Sequence, residues 1–190
     1  MNTLEAIAQR RSIRKFKDIP VSDEDLRTIL EAAVQAPSGK NRQPWRFVVV
    51  REDRRDEMMR AMREGIDRAE EFGVNLGSSR WTAKVMEQAS VTVFVFNPYG
   101  EHRFGKPPWE QEWDPVDVQS VGAAIQNMLL AAQDLGLGSL WICDVYYALD
   151  QLCNWMERKD QMIAAVSFGH PDEQPGPRPR KPVDEVVQWM

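Results

Sequence analysis

Apolar residues recur along this chain at two spacings, every three to four positions in some stretches and in short unbroken runs in others, which predicts interleaved helices and strands. Leu4, Ile7 and Ala8 mark a short first helix. Ser22 and Asp25 have the spacing of a capping box and open a second helix, whose apolar face is Leu26, Ile29, Leu30, Ala33 and Val34. Pro37 stops it, because the residue before a proline is pushed out of the helical region. A loop from Pro37 to Pro44 then leads into a strand, Trp45 to Val50.

Farther on, Asp53 to Arg68 reads as an amphipathic helix with Met58, Met59 and Met62 turned inward. Val91 to Phe96 is short, β-branched and aromatic, as a buried strand is. The longest periodic segment runs from Val116 to Leu135. Its small residues Gly122, Ala123, Ala124, Ala131 and Ala132 predict a second helix packed closely against it. After Gly136 and Gly138 come a strand from Ser139 to Cys143, a helix around Asp150 to Arg158 and a strand from Ile163 to Gly169. Pro171 to Pro182 is too rich in proline for a helix or a central strand and must be extended. No internal repeat or long linker divides the 190 residues, which predicts one domain over 1–190.

Composition narrows the function classes. The formal net charge of -5 argues against a nucleic-acid partner, since such domains carry a basic stripe. The apolar runs are too short to span a bilayer and no signal-peptide pattern opens the chain, so the expected location is the cytoplasm, with no membrane partner. Cys143 and Cys153 fit neither a disulfide framework nor a zinc spacing. His102 and His170 form no carboxylate-histidine pattern in the sequence, and no metal site is expected. Gly136-Leu137-Gly138 has Trp141 where a dinucleotide fingerprint needs its third glycine, and a helix precedes it where a strand should. No Gly-x-Ser-x-Gly elbow supports a hydrolase.

Three clusters carry the chemistry: Gln9 to Arg14, Ala36 to Trp45, and Arg178 to Pro182. Arginine offers a forked set of donors to phosphate oxygens, and Ser, Asn and Gln suit a polyol chain and a heterocycle edge. Together they fit a phosphorylated aromatic cofactor. Each also has a plainer reading: basic residues past a helix offset its partial negative end, and Pro-Ser-Gly is ordinary turn chemistry.

Four segments in order resemble the FMN-dependent nitroreductase family over nearly the whole length. They are Arg10-Arg11-Ser12-Ile13-Arg14, the run Pro37-Ser38-Gly39-Lys40-Asn41-Arg42-Gln43-Pro44-Trp45, the turn Gly136 to Ser139 followed by Trp141, and the basic tail. The resemblance implies an α+β fold, a central mixed and mostly antiparallel sheet with helices on both sides, in an intertwined homodimer with FMN at the interface. It assigns Arg10 and Ser12 to the FMN phosphate and ribityl chain, Arg14 to the pyrimidine edge, and Arg11 to a largely backbone contact. Pro37, Ser38, Gly39 and Asn41 would reach a flavin held mainly by the other subunit, with Gln43 supporting the loop. The family often has Ser or Thr where this chain has Gly39 and Lys40, so contacts there rest on backbone. Trp141, Ile142 and Cys143 would pass along one face of the ring, and Arg178 and Arg180 would form the second phosphate clamp, with Lys181 nearby. Cys143 matches no family nucleophile.

The implied activity is hydride transfer from NADH or NADPH through flavin N5 to a small acceptor such as a nitroaromatic, a quinone or another activated ring, in a two-step exchange. The segment from Asn97 to Asp114, with Tyr99, Phe104, Trp109 and Trp113, is the candidate for acceptor selection. The competing class is an FMN-binding sensor or storage protein without a dedicated substrate, because binding and turnover would use the same residues.

Overall fold

The computed structural model describes residues 1–190. Four strands, β1 (Arg46–Val50), β2 (Val91–Glu101), β3 (Gly138–Ile142) and β4 (Asp160–Gly169), form one sheet in the order β1-β2-β4-β3. Every neighbouring pair is antiparallel. Parallel pairing is confined to a bridge between Ser12 and Ser139.

Alternation along the central strands divides the core between the two faces of the sheet. On one face Val91, Val93 and Val95 of β2 meet α2 (Asp23–Val34) and α5 (Pro115–Asp134). On the other, Phe94 and Phe96 meet α3 (Glu52–Glu71), α4 (Ser79–Gln88) and α6 (Leu149–Trp155). On β4 the register shifts between Val95↔Ala164 and Phe96↔Met162, which leaves Ile163 as an extra residue. Ile163 and Ala164 therefore both serve the α2/α5 face, and the Tyr146 hydroxyl donates to the Ile163 carbonyl at this bulge.

Several expected elements differ in extent. α3 runs to Glu71, and β2 continues to Glu101, so the expected irregular segment after Asn97 begins as strand. α4 has no counterpart in the sequence reading, since its inward face includes Ser79, Thr82 and Ala83, which carry little hydropathy. Ser22 does cap α2 through the Asp25 amide at 3.0 Å, but the Asp25 carboxylate accepts from the Ser22 hydroxyl instead of closing a reciprocal box. The reciprocal box forms in α1 (Thr3–Gln9), between Asn2 and Glu5. The small residues of α5 meet α2 as expected, and the Asn127 amide donates to the Ala32 carbonyl at 3.0 Å.

The two ends of the chain are stitched to the same side of the sheet. The Ile13 amide donates to the Ser139 carbonyl at 2.9 Å, Phe16 bridges Pro171, and the Lys17 and Asp172 amides donate to His170 and Lys15 at 2.8 and 2.9 Å. Gly138 and Gly169 leave room for this: an added Cβ would meet Ile13 at 2.9 Å and the Phe16 ring at 2.8 Å. Beyond it the tail is extended through Pro182, and the single turn α7 (Val183–Val186) leaves Trp189 exposed, without packing on the body.

Where α3 passes the 3-10 turn Asp144–Ala148, a Cβ on Gly65 would stand 2.3 Å from Ala148 Cα. Gly→Ala inside a helix ordinarily stabilises by about 1 kcal/mol. Gly65→Ala should do the reverse, lowering stability by roughly 1–3 kcal/mol through overpacking. Urea denaturation would measure the shift in midpoint.

Candidate functional site

β3 is an edge strand, and its outer edge sets the geometry of the site. Because Ser139 turns its carbonyl outward to Ile13, the two-residue repeat of the pleat turns the Trp141 backbone outward as well. The segment Ser12–Ile13 covers this edge only at Ser139. Trp141 itself is no core residue. Its ring is 37% exposed and lies 3.8 Å from the Cβ position of Gly122 on α5.

Below this edge lies a cleft of about 370 Å³. Arg14, Trp141, Ile142, Cys143 and Arg178 line it, together with Ser78, Trp81 and Thr82 of the α4 region. The Arg14 guanidinium stands 5.6 Å from the centre of the Trp81 ring and donates to the Ser12 carbonyl at 3.2 Å. Its amide is held by the Glu173 carboxylate of the tail at 2.5 Å. Asp144 closes one end of the cleft and accepts from the Ser78 and Thr82 hydroxyls at 2.9 and 2.5 Å. Ser78, Trp81, Thr82 and Asp144 escaped the sequence reading; Trp81 alone carried a signal, as a large aromatic between polar residues.

The electrostatics point to an anion. Arg10, Arg11, Arg14, Arg178 and Arg180 make no ion pair with any carboxylate, although most other arginines of the chain do. Burial, then the charges of Arg180 and Arg11, hold the Arg10 guanidinium below its ordinary range. The two basic clusters, far apart in sequence, are thus close enough to repel one another. Arginines gathered without ion-pair partners offer donors and positive charge that suit a phosphate dianion. Arg11 is turned away, its guanidinium donating to the Ala8 and Arg10 carbonyls at 2.7 and 2.8 Å. Ser12 stands at the bridge to Ser139.

The loop from Pro37 to Gln43 does not line this cleft. It sits against the start of α5, with the Gly39 amide donating to Ser120 at 3.3 Å and a Cβ at Gly39 excluded by Val116 at 2.4 Å. Lys40, Asn41 and Gln43 all have φ above +50°, a region that non-glycine residues seldom occupy. What holds them there is the neighbouring Arg42. Its guanidinium pairs with the buried Asp117 at 3.1 Å and stacks 4.0 Å from the Tyr99 ring, while the Ser38 hydroxyl accepts from the Gln43 amide at 3.0 Å. In this strained loop Asn41 is exposed, while the Ser38 hydroxyl is held inside the loop by the Gln43 amide.

The histidines need one correction. His102 does meet a carboxylate, Asp150, at 2.8 Å, a pairing that only the fold creates. It anchors a loop, and no group of histidine, cysteine and carboxylate side chains has the arrangement of a metal centre. No helix is long and apolar enough to cross a membrane.

A sequence model described as "Nitroreductase family" matches residues 7–170. An Archaeoglobus fulgidus protein whose name pairs NADH dehydrogenase with NAD(P)H nitroreductase is 37% identical over 177 residues, spanning 90% of this chain and 86% of that protein. Among solved structures, a nitroreductase of this kind from Desulfovibrio desulfuricans, in complex with FMN, is 34% identical and superposes with a TM-score of 0.76, covering 100% of this chain and 98% of the other. The NADPH:FMN oxidoreductase of Vibrio harveyi, complexed with NAD+, is 26% identical with a TM-score of 0.75, over 100% of this chain and 77% of that one.

Cys143 borders the cleft, yet its environment is wrong for a nucleophile. Burial and the neighbouring Asp144 raise its thiol above the ordinary range, against a weaker hydrogen bond with Trp141. Cys153 is buried and pushed up to about 12. Since only the thiolate reacts, alkylation of the native protein should consume one thiol, Cys143. Its rate should still be climbing with pH where a free thiol has levelled off. Mass-resolved iodoacetamide labelling across a pH series reads both.

Proposed function

The chain belongs to the nitroreductase family, and from that premise we propose that it is an FMN-dependent oxidoreductase, taking hydride from NADH or NADPH and passing it to a small activated acceptor such as a nitroaromatic or a quinone. The observation that carries the reading is that Arg14 and Arg178 line the cleft at the edge of β3 and Arg10 stands near Arg180, all four without an ion-pair partner. A monophosphate fits them.

Each residue then has a task that its chemistry suits. Arg10, Arg178 and Arg180 bind and neutralise the phosphate, which one cluster alone would do less completely. Ser12 binds the ribityl chain, and Arg11 contributes backbone. Arg14, braced by Trp81 and Glu173, sits at the pyrimidine edge, where negative charge develops on reduction and a fixed guanidinium stabilises it. The outward amide of Trp141, followed by Ile142 and Cys143, lies along the ring. When bound, the flavin supplies the hydride chemistry at its N5. The protein contributes orientation, charge and a sheltered cleft, and no general acid is required of it.

The loop Pro37–Gln43 enters through a second copy of the chain. Its Pro37, Ser38, Gly39 and Asn41 would complete the partner's site, with Gln43 supporting them, which makes the working unit a homodimer carrying two flavins. The rigidity that Arg42 and Asp117 impose on the loop suits a contact made across an interface.

Steady-state oxidation of NADH and NADPH with a panel of acceptors tests the activity, and an FMN-loaded protein that turns over none of them would be a carrier or sensor instead. Arg10→Ala and Arg180→Ala should each weaken FMN binding by about 1.5–3 kcal/mol, the range for a charged hydrogen bond. Flavin released during ultrafiltration would report it. Dilution should dissociate dimer and FMN together, and added FMN should restore both, because a shared site links occupancy to association. Light scattering with flavin absorbance follows the two at once, and a fully loaded monomer would overturn the shared site.

A further inference from the structure

Trp81 is the only aromatic residue of α4, and the core does not use it. Ser79, Thr82, Ala83, Val85 and Met86 turn inward from that helix, whereas Trp81 is 50% exposed and packs in neither hydrophobic cluster. A helix position facing solvent is ordinarily polar. This ring instead borders the cleft under β3, 5.6 Å from the Arg14 guanidinium.

Both partners of this contact are held by other parts of the fold. The Ser78 and Thr82 hydroxyls, on either side of Trp81 in the chain, donate to the Asp144 carboxylate at 2.9 and 2.5 Å, in the turn that follows β3. That bracket ties the start of α4 to the end of the edge strand, and Ala83, Val85 and Met86 seat the next turn in the core. Arg14 is fixed from the opposite side. Its amide donates to Glu173, and its Nη1 donates to the Ser12 carbonyl at 3.2 Å, which leaves Nε and Nη2 without a hydrogen-bond partner.

We propose that Trp81 is a positioning residue for Arg14, holding the guanidinium by an aromatic face and so keeping its charge and its remaining N–H groups available to a ligand in the cleft. This deepens the proposed function and rests on it for the identity of that ligand as FMN. The choice of an aromatic partner over a carboxylate is what matters. A carboxylate at this place would take up the in-plane donors of the guanidinium and offset its charge. An aromatic face attracts the same cation through the ring quadrupole and does neither. Asp144, the carboxylate that lines the same cleft, makes no ion pair with Arg14 and accepts from the two hydroxyls instead. A cation held in this way favours whichever form of the ligand carries more negative charge. FMN gains negative charge on reduction, so Trp81, acting through Arg14, raises the preference of the site for the reduced cofactor.

The test is the midpoint potential of the bound FMN, read by dye-coupled titration of the holoprotein, in the wild type, Trp81→Leu, Trp81→Phe, Arg14→Ala and the Trp81→Leu/Arg14→Ala double variant. Trp81→Leu should lower the ratio of affinities for reduced over oxidised FMN by about three- to tenfold, a fall in potential of roughly 15–30 mV for a two-electron couple. Trp81→Phe keeps an aromatic face and should retain most of the wild-type value. In the Arg14→Ala background Trp81→Leu should change nothing further, because no cation is left to position. The side chain is half exposed, so truncation spares the core; a thermal melt checks this, and Trp81→Gln repeats the comparison if the leucine variant does not fold. An unchanged potential in FMN-loaded Trp81→Leu overturns the role and leaves the oxidoreductase reading standing. An equal shift with and without Arg14 overturns it too, since the indole would then act on the cofactor directly. A wild type that takes up no FMN removes the oxidoreductase reading, and the role with it.

Discussion

The outer edge of β3 is the constraint from which the rest of the site follows. An edge strand leaves a row of backbone donors and acceptors without partners, a liability in any sheet. Here the segment Ser12–Ile13 covers one end of it, and the tail is laced to the same segment through Phe16, Lys17 and Asp172. That lacing brings Arg10 and Arg180 together from opposite ends of the chain. Their mutual repulsion is tolerable because the sheet and α1 fix the backbones that carry them, and it is relieved when an anion arrives. The remainder of the edge, at Trp141, borders the cleft.

The two faces of the sheet divide the work. The α2/α5 face is dry, and its outer end carries the loop Pro37–Gln43, strained in three residues and clamped by Arg42 to a buried carboxylate. Opening the clamp would leave the buried Asp117 carboxylate without its cation, which is costly. The α3/α4/α6 face instead provides cavities. Its helices meet closely at Gly65 and spread toward Phe72 and Trp109, and the space between them continues into the cleft under β3. One side of the sheet therefore carries a rigid loop, and the other leaves room between its helices.

Cys143 illustrates how environment overrides residue type. A cysteine beside a cofactor cleft invites a catalytic role, but the adjacent carboxylate and partial burial keep it protonated. The same region holds Tyr146, whose hydroxyl is pushed far above its usual range by burial and spent on the Ile163 carbonyl. The Tyr146 hydroxyl is thus committed to the fold, and Cys143 is held as a thiol.

What the sequence determined by itself is local. Periodicity marked α2, α3, α5 and the buried parts of the strands, because burial of one face repeats along an element. Proline marked the end of α2 and the extended tail, because it removes a donor and fixes φ. The arginine, Ser and Asn clusters were legible as anion and amide binders by residue type, and their order carried the family. The tertiary structure decided what long-range contacts decide. It left α4 to be found, since Ser79, Thr82 and Ala83 are inward only because neighbouring elements cover them. It brought His102 to Asp150 across 48 positions and joined Ser78 and Thr82 to Asp144. It also set Pro37–Gln43 apart from the chain's own cleft, against the start of α5. Spacing along a chain reports which residues share a face; which faces meet is set by packing among elements distant in sequence, and there the site was assembled.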